Sequence, residues 1–277
     1  MVIHIGGAKC ASTYLQRKVL CNAEEYKFYG PKSSVVKLFF DYCLEKTSVR
    51  PKFSSGQNII LSHEGLSIYK NTNGSHIADR IKNITENVKI VYVIREQRAW
   101  LISRYYQDLE NYMGTYTSYY TFEEWVDEKF HEELSKHNTS AKAFIPLERI
   151  KYDKIINRIK KMFDEVYILK LETLMENNEK FISKIRHILE SSLEPDDRQA
   201  SNKRIGLYEA KIEKMLSFLM ANKKTSKMVK ELIKLSSKVL PYRKGNKKIR
   251  KRTKKEIKKT NNQLKKMGIK IPESYVS

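Results

Sequence analysis

Apolar residues recur along the first 190 positions as short β-branched runs, and stretches with helical spacing separate them. The run KIVYVI at 89–94 is nearly continuous, as expected for a central parallel strand covered on both faces. The predicted strands are 2–5, 59–62, 89–94 and 165–170. The predicted helices are 12–21, 35–44, 75–86, 97–112, a helix that starts near Phe122 and includes Trp125, 152–163 and 176–189. This alternation predicts an α/β fold with a central parallel sheet flanked by helices.

After residue 200 the pattern becomes helical and strongly basic. Helices are predicted at 207–221, 226–239 and 254–267, with Pro241 and Gly245 interrupting them. Residues 223–277 contain 20 Lys and Arg against 3 Glu, whereas the net charge of the whole chain is +22. We interpret 1–200 as the α/β core and 201–277 as a helical basic extension of the same domain.

The basic extension has two interpretations. It is either a solvated, lysine-rich helical surface or a site that attracts an anionic partner. An acidic polysaccharide, or a glycolipid at a membrane surface, would be such a partner. Nucleic acid is not favoured, because the lysines have few aromatic residues among them and no binding module is recognisable.

Composition narrows the class of protein further. The 277 residues are 40% apolar, which is enough for a sizeable core. The three cysteines are odd in number and lack metal-ligand spacing, so we expect reduced thiols and a cytoplasmic location. No signal peptide is expected, because the first apolar run is only a few residues long and is broken by glycines. No membrane span is expected, because no apolar run approaches the ~20 residues of a span. The sequence has no Asp/His cluster with metal-ligand spacing, so no metal is expected.

The loop after the first strand supplies several groups that bind anions. It reads Gly6-Gly7-Ala8-Lys9-Cys10-Ala11-Ser12-Thr13 and leads into a predicted helix, whose first N–H groups can face an anion. A triphosphate-binding loop reads G-x-x-x-x-G-K-[ST], whereas Lys9 lies three residues before Ser12 and follows no glycine. An ordinary strand-to-helix turn with an incidental lysine is the alternative. Cys10 is either a small filler or a reactive thiol.

Polar residues also follow two other predicted strands. Arg95 ends the 89–94 strand, where open α/β sheets place ligands, and its guanidinium suits phosphate as well as a structural ion pair. Ser103 lies about two helical turns later and adds a hydroxyl. The 59–62 strand ends at His63 and Glu64. The aromatic residues at 112–125 are either packing residues or a platform for a sugar ring.

Three of these motifs together resemble the sulfotransferases that use 3′-phosphoadenosine 5′-phosphosulfate (PAPS). Lys9-Cys-Ala-Ser12-Thr13 resembles the 5′-phosphosulfate loop of that family. The segment from Arg95 to Ser103-Arg-Tyr-Tyr resembles the 3′-phosphate motif, and Ile60-Leu-Ser62-His63-Glu64 resembles the strand that carries the catalytic base. Gln97 stands where many members have proline, and Cys10-Ala11 stands where many have Thr-Gly. The resemblance covers roughly the first 110 residues, and bacterial-type carbohydrate sulfotransferases are the most similar branch.

The resemblance implies a P-loop-like fold, PAPS as co-substrate, 3′-phosphoadenosine 5′-phosphate (PAP) as product, and no metal. The implied acceptor is a carbohydrate hydroxyl. Lys9 would be catalytic, with Glu64 favoured over His63 as the base. Arg243-Lys244-Gly245 echoes a further phosphate-binding triplet in a lysine-rich stretch. The residues expected to bind PAPS are Gly7, Ala8, Lys9, Cys10, Ala11, Ser12, Thr13, Tyr14, Arg95, Ser103, Arg243, Lys244 and Gly245.

Two other functions remain open on the sequence alone. A nucleotide-dependent kinase would use the same fold class, but the missing Gly-Lys-[Ser/Thr] adjacency argues against it. A non-enzymatic protein that binds polyanions would depend on the basic extension instead of the first loop.

Overall fold

A computed structural model of the protein describes residues 1–6, 9–54, 56–63, 74–112, 122–127, 146–195 and 251–271. The described chain belongs to two compact units. The first unit comprises 1–96, 151–200 and 260–277, and the second comprises 97–150 and 201–259. Several predicted features lie outside the described residues, namely Gly7, Ala8, Glu64, the segment 113–121, the helices 207–221 and 226–239, Pro241, and the Arg243-Lys244-Gly245 triplet. The boundary predicted at residue 200 therefore stays a prediction.

The first unit contains a five-stranded parallel sheet with strand order β2-β3-β1-β4-β5. The strands are β1 (Val2–Gly6), β2 (Lys27–Tyr29), β3 (Ile59–Ser62), β4 (Lys89–Ile94) and β5 (Glu165–Lys170). Four of them confirm the sequence prediction. The prediction missed β2 because this edge strand has only three residues and begins with an exposed lysine, so it has no apolar run.

Most described helices confirm the predicted ones, with shifts of a few residues at their ends. The helices of the first unit that precede β5 are α1 (Ser12–Tyr14), α2 (Ser34–Cys43), α3 (Gly74–Lys82) and α7 (Tyr152–Met162). Those of the second unit are α4 (Gln97–Tyr112), α5 (Phe122–Val126) and α6 (Pro146–Arg149), of which the short α6 was not predicted. The last three are α8 (Leu171–Glu176), α9 (Asn178–Leu189) and α10 (Lys251–Lys266).

Two helices differ in form from the prediction. The segment predicted as one regular helix over 12–21 begins as α1, widens into π-helical turns at Leu15–Val19 and tightens into a 3₁₀ turn at Leu20–Asn22. The predicted helix 176–189 is observed as α9, whereas α8 was not predicted as a helix, and the two helices are separated by Asn177. Its backbone is extended, and its side chain accepts a hydrogen bond from the Lys180 N–H at 2.8 Å. An N-cap of this kind starts a new helix.

The alternation of side chains along β1 divides the first unit into two layers. Ile3 and Ile5 point into the main core, which buried residues of α2, α3 and α7 complete, including Phe39, Ile81 and Ile156. His4 points to the opposite face because neighbouring strand residues alternate. There it lines a small cavity with Leu15, Leu20, Val91, Ile185, Ile188 and Leu189. The sheet is therefore covered on both faces, as the apolar runs predict.

In the second unit, three of the described aromatic residues pack against each other. The Tyr105 ring meets the edges of Phe122 and Trp125 at centroid distances of 5.4 and 5.7 Å. The Trp125 indole donates a hydrogen bond to the Asp108 carboxylate at 3.1 Å, and Arg104 pairs with the same carboxylate. For Phe122 and Trp125, both buried, the packing interpretation holds.

Helix α10 has a narrow buried stripe and a broad basic surface. Thr253, Ile257, Thr260, Asn261 and Leu264 are buried at helical spacing. The exposed positions include eight cations, Lys251, Arg252, Lys254, Lys255, Lys258, Lys259, Lys265 and Lys266. Over the described part of the chain, no helix combines the length and hydropathy needed to cross a bilayer.

Replacing Phe39 by alanine should destabilise the first unit, because Phe39 is fully buried in its main core. A large-to-small change at such a site costs about 3–5 kcal/mol of unfolding free energy. Urea unfolding monitored by circular dichroism measures this loss. Val49→Ala, at a position 59% exposed, is the control and should change the value by less than about 0.5 kcal/mol. Equal effects of both changes would contradict the assigned core.

Candidate functional site

The carboxyl ends of β3, β1 and β4 lie side by side at one edge of the sheet. Their register pairs His4 with Ser62 and Gly6 with Val93. The His63 N–H continues this pairing by donating to the His4 carbonyl at 3.2 Å. The loop that carries Lys9, the residue His63 and the residue Arg95 therefore leave three adjacent strands. This is the edge at which open α/β sheets bind ligands.

The Lys9 loop has a strained backbone that Arg95 supports. Lys9 and Ala11 have φ angles of 68° and 62°, in the left-handed region that residues other than glycine rarely adopt. The buried Arg95 guanidinium donates from Nη1 to the Lys9 carbonyl at 3.0 Å. Each such conformation costs of order 1–3 kcal/mol and persists only where neighbouring groups enforce it. Arg95 thus fixes the loop, a role that the sequence did not reveal.

Gly6 and Ser12 form the inner wall of the loop. A Cβ atom at Gly6 would lie 2.6 Å from Ser12 Oγ, so only glycine leaves this hydroxyl in place. Ser12 is buried, and its Oγ has no hydrogen-bond partner among the residues that the structure describes. Leaving a buried hydroxyl unsatisfied costs about 1–3 kcal/mol. A hydroxyl held in this way at the start of a helix is suited to an anionic ligand.

Two other loop residues have packing roles. Cys10 is 1% exposed, which favours its interpretation as a filler beside the turn. The Tyr14 hydroxyl donates to Asn178 Oδ1 at 3.3 Å and connects the start of α1 with the start of α9. Neither contact tests the expectation that these residues bind PAPS.

A carboxylate that the sequence analysis missed holds the turn after β4. Glu172, at the start of α8, accepts a hydrogen bond from the Glu96 N–H at 2.9 Å. This bond fixes the backbone next to Arg95. The available signal was the position of Glu172, an acidic residue two positions after the end of β5. Acidic residues that follow adjacent parallel strands reach the same edge of the sheet.

Ser103 and Gln97 lie on α4, in the second unit. Ser103 is buried on this helix, and Gln97, the residue that stands where many sulfotransferases have proline, is buried at its first position. Their predicted contribution to a 3′-phosphate site stays a prediction.

His63 has the properties of a neutral base at pH 7. Its ring is half-buried and stacks on Phe40 with a centroid distance of 4.7 Å. Burial lowers the pKa of His63 below its ordinary value of 6.5, because the charged imidazolium loses solvation. A neutral imidazole can accept a proton from a hydroxyl. Glu64, the favoured base, lies outside the described residues, so the choice between the two stays open.

The sequence analysis also missed a polar network beneath the loop. His4 Nδ1 and Ser62 Oγ lie 2.7 Å apart, and Gln16 Nε2 donates to the same Oγ at 3.0 Å. Burial lowers the pKa of His4 to about 4, so this imidazole is neutral at pH 7. The only signal in the sequence was a histidine and a serine within apolar strands.

Metal ligands are not clustered in the described part of the chain. No group of three or more His, Cys, Asp or Glu side chains there could hold a metal ion. Lys9 and Arg95 are described cations that follow β1 and β4, and Lys170 is the last residue of β5.

Comparison with known proteins identifies the fold. No family model matches the sequence, and no curated protein matches it. A sulfotransferase from Alicyclobacillus acidocaldarius superposes with a TM-score of 0.50 over 84% of this chain and 95% of its own. The chain has a sulfotransferase fold. At 14% identity this likeness is one of fold, and it confirms the predicted α/β architecture.

Two further sulfotransferase structures superpose less well. Mouse sulfotransferase SULT7A1 complexed with PAP gives a TM-score of 0.38 at 12% identity, over 79% of this chain and 65% of its own. The sulfotransferase domain from the curacin biosynthetic pathway gives 0.40 at 10% identity, over 98% of each chain.

Gly6→Ala should weaken anion binding without unfolding the protein, because the new Cβ would displace Ser12 Oγ. We expect PAP affinity, measured by isothermal titration calorimetry, to fall at least about tenfold, which is roughly 1.4 kcal/mol. Gly30→Ala, directly after β2, is the matched control, since among the described residues its Cβ would meet only the flexible ring of Phe28. Unchanged affinity in Gly6→Ala would show that Ser12 is not part of the binding site.

Proposed function

We propose that the protein is a PAPS-dependent sulfotransferase whose acceptor is a carbohydrate hydroxyl. The observation that carries the proposal is the Lys9 loop: a strained turn held by Arg95 and lined by the buried, unpartnered Ser12 hydroxyl. This loop joins the first strand to the first helix in a chain with a sulfotransferase fold.

The groups present fit an anionic nucleotide. Lys9 supplies a cation, Ser12 and Thr13 supply hydroxyls, and the start of α1 supplies N–H groups. Gly6 keeps the inner wall free of a side chain, so a ligand oxygen can approach Ser12. Two positive charges, Lys9 and Arg95, would balance phosphate charge, with Arg95 acting also through the loop that it supports.

The chemistry that PAPS supplies is a sulfuryl group bonded to a phosphate oxygen. In the transfer, a bond forms between the acceptor oxygen and sulfur while the bond between sulfur and the phosphate oxygen breaks. Lys9 stabilises the negative charge that grows on that phosphate oxygen, as groups of an oxyanion site do. A base at the end of β3, Glu64 or His63, accepts the proton of the acceptor hydroxyl.

The acceptor class is supported by charge. The eight exposed cations of α10 suit an acidic polysaccharide, or a glycolipid at a membrane surface, better than a neutral small molecule. Nucleic acid is not favoured as the partner, because the lysines of the basic extension have few aromatic residues among them and no binding module is recognisable in the sequence. Incubation with labelled PAPS and matched neutral and acidic glycans tests this class, and label on small phenols alone would contradict it.

A cytoplasmic location is part of the proposal. None of the three cysteines forms a disulfide, and Cys21 is exposed. Free thiols persist in a reducing compartment.

Donor identity can be tested by ligand-induced stabilisation. PAP should raise the melting temperature of the protein, whereas ATP with magnesium should not; the reverse result would favour a kinase.

Lys9→Ala should lower the transfer rate by roughly 10²–10³-fold, because a charge stabiliser is lost in the transition state. Lys37→Ala, an exposed lysine of α2, is the control and should retain the wild-type rate. Transfer of ³⁵S from labelled PAPS measures the rate.

Substitution of the two candidate bases separates their roles. Glu64→Gln should lower kcat by roughly 10²–10⁴-fold, because the carboxylate can no longer accept the proton. PAP affinity should stay unchanged in this variant, which excludes a loss of donor binding. His63→Gln should retain more activity than Glu64→Gln. The opposite ranking, with Glu64→Gln fully active and His63→Gln inactive, would assign the base to His63.

A further inference from the structure

The buried polar network below the Lys9 loop has a defined direction. Ser62 Oγ accepts a hydrogen bond from the Gln16 amide nitrogen, and its second contact is with His4 Nδ1. An amide nitrogen is a donor only, so of these two contacts only His4 Nδ1 can accept the hydroxyl proton of Ser62. We infer that Ser62 donates to His4. Since a neutral imidazole carries one proton, that proton is on Nε2.

The Nε2 atom of His4 faces the inner wall of the loop. His4 is 1% exposed, and within the described part of the chain its Nε2 has no hydrogen-bond partner. The point where a Cβ of Gly6 would stand is 3.1 Å from His4 Nε2 and 2.6 Å from Ser12 Oγ. Two unpartnered polar atoms thus border one small space that only a glycine leaves open.

We propose that His4 is a positioning residue that orients the Ser12 hydroxyl toward the bound anion. The two atoms, His4 Nε2 and Ser12 Oγ, border the same space but are not hydrogen-bonded to each other in the structure. In the complex with the anion, His4 Nε2–H donates to Ser12 Oγ, and Ser12 Oγ directs its own proton to the anion. Each member accepts from the preceding one and donates to the next, in the order Gln16, Ser62, His4, Ser12. The proposal rests on the proposed function only in naming a phosphate oxygen of PAPS or PAP as the final acceptor.

The direction of the network matters because a hydroxyl can be either donor or acceptor. A hydroxyl that accepts from the protein has its proton available for an anion, which offers acceptors only. A protonated His4 could not accept from Ser62, so the network requires the neutral ring, and burial of His4 maintains that form.

The tautomer of His4 can be measured directly. Full-length protein with ¹⁵N-labelled histidine should show His4 as a neutral Nε2–H tautomer between pH 5.5 and 8 in two-dimensional ¹H–¹⁵N spectra. The resonance is assigned from its absence in His4→Gln. Addition of PAP should shift this Nε2–H signal, and Ser12→Ala should abolish the shift. An Nδ1–H tautomer would overturn the proposal.

Binding measurements test the coupling between His4 and Ser12. His4→Leu removes the donor and should weaken PAP binding about tenfold, whereas His4→Gln should restore most of it, because the amide nitrogen can occupy the place of Nε2. In Ser12→Ala protein, His4→Leu should have no further effect. Additive losses in this double-mutant cycle would overturn the proposal. If His4→Leu fails to fold, His4→Gln and the tautomer decide the question.

Inorganic pyrophosphate, titrated in parallel, separates this proposal from the proposed function. Binding of pyrophosphate with the same dependence on His4, but no binding of PAP, would support the network and contradict PAPS as donor. Binding of PAP that is insensitive to both His4 variants would support the donor and contradict the network.

Discussion

The hydrogen bond from the Arg95 guanidinium to the Lys9 carbonyl joins the ends of two neighbouring strands. The loop after β1 contains two residues in left-handed conformations, neither of them glycine, and such a backbone is stable only when other groups enforce it. Arg95 supplies this support from the end of β4, and the Glu172 carboxylate in turn holds the backbone that follows Arg95. The position of Lys9 therefore depends on three elements that are far apart in the sequence.

Burial gives the site its electrostatic character. The loop and the ends of β1, β3 and β4 carry cations and hydroxyls, while the layers above and below the sheet are apolar. Polar groups that remain inside are costly unless they are paired, and Ser12 Oγ and His4 Nε2 are among the buried atoms that have no hydrogen-bond partner within the described residues. They border the same space beside Gly6, and this shared position relates the interior of the first unit to the anion-binding loop.

Sequence patterns predicted the parallel sheet well because its strands are buried on both faces. At their length and spacing, the β-branched runs at β1, β3, β4 and β5 are typical of buried parallel strands. The three-residue β2 has no such run, and the division of α8 from α9 depends on one asparagine cap. The loop was found from Lys9, Ser12 and Thr13, and the strand ends from Arg95 and His63, because polar residues directly after apolar runs are visible without coordinates.

The sequence by itself determined the fold class and the composition of the candidate site: a strand-turn-helix segment with Lys9 and Ser12, and an arginine after the central strand. The tertiary structure decided how these groups act on each other. The Arg95 contact, the cap on Glu96 and the His4–Ser62–Gln16 network join residues between 46 and 86 positions apart. Strand register and side-chain rotamers create such contacts, and neither is encoded in the spacing of residues along the chain.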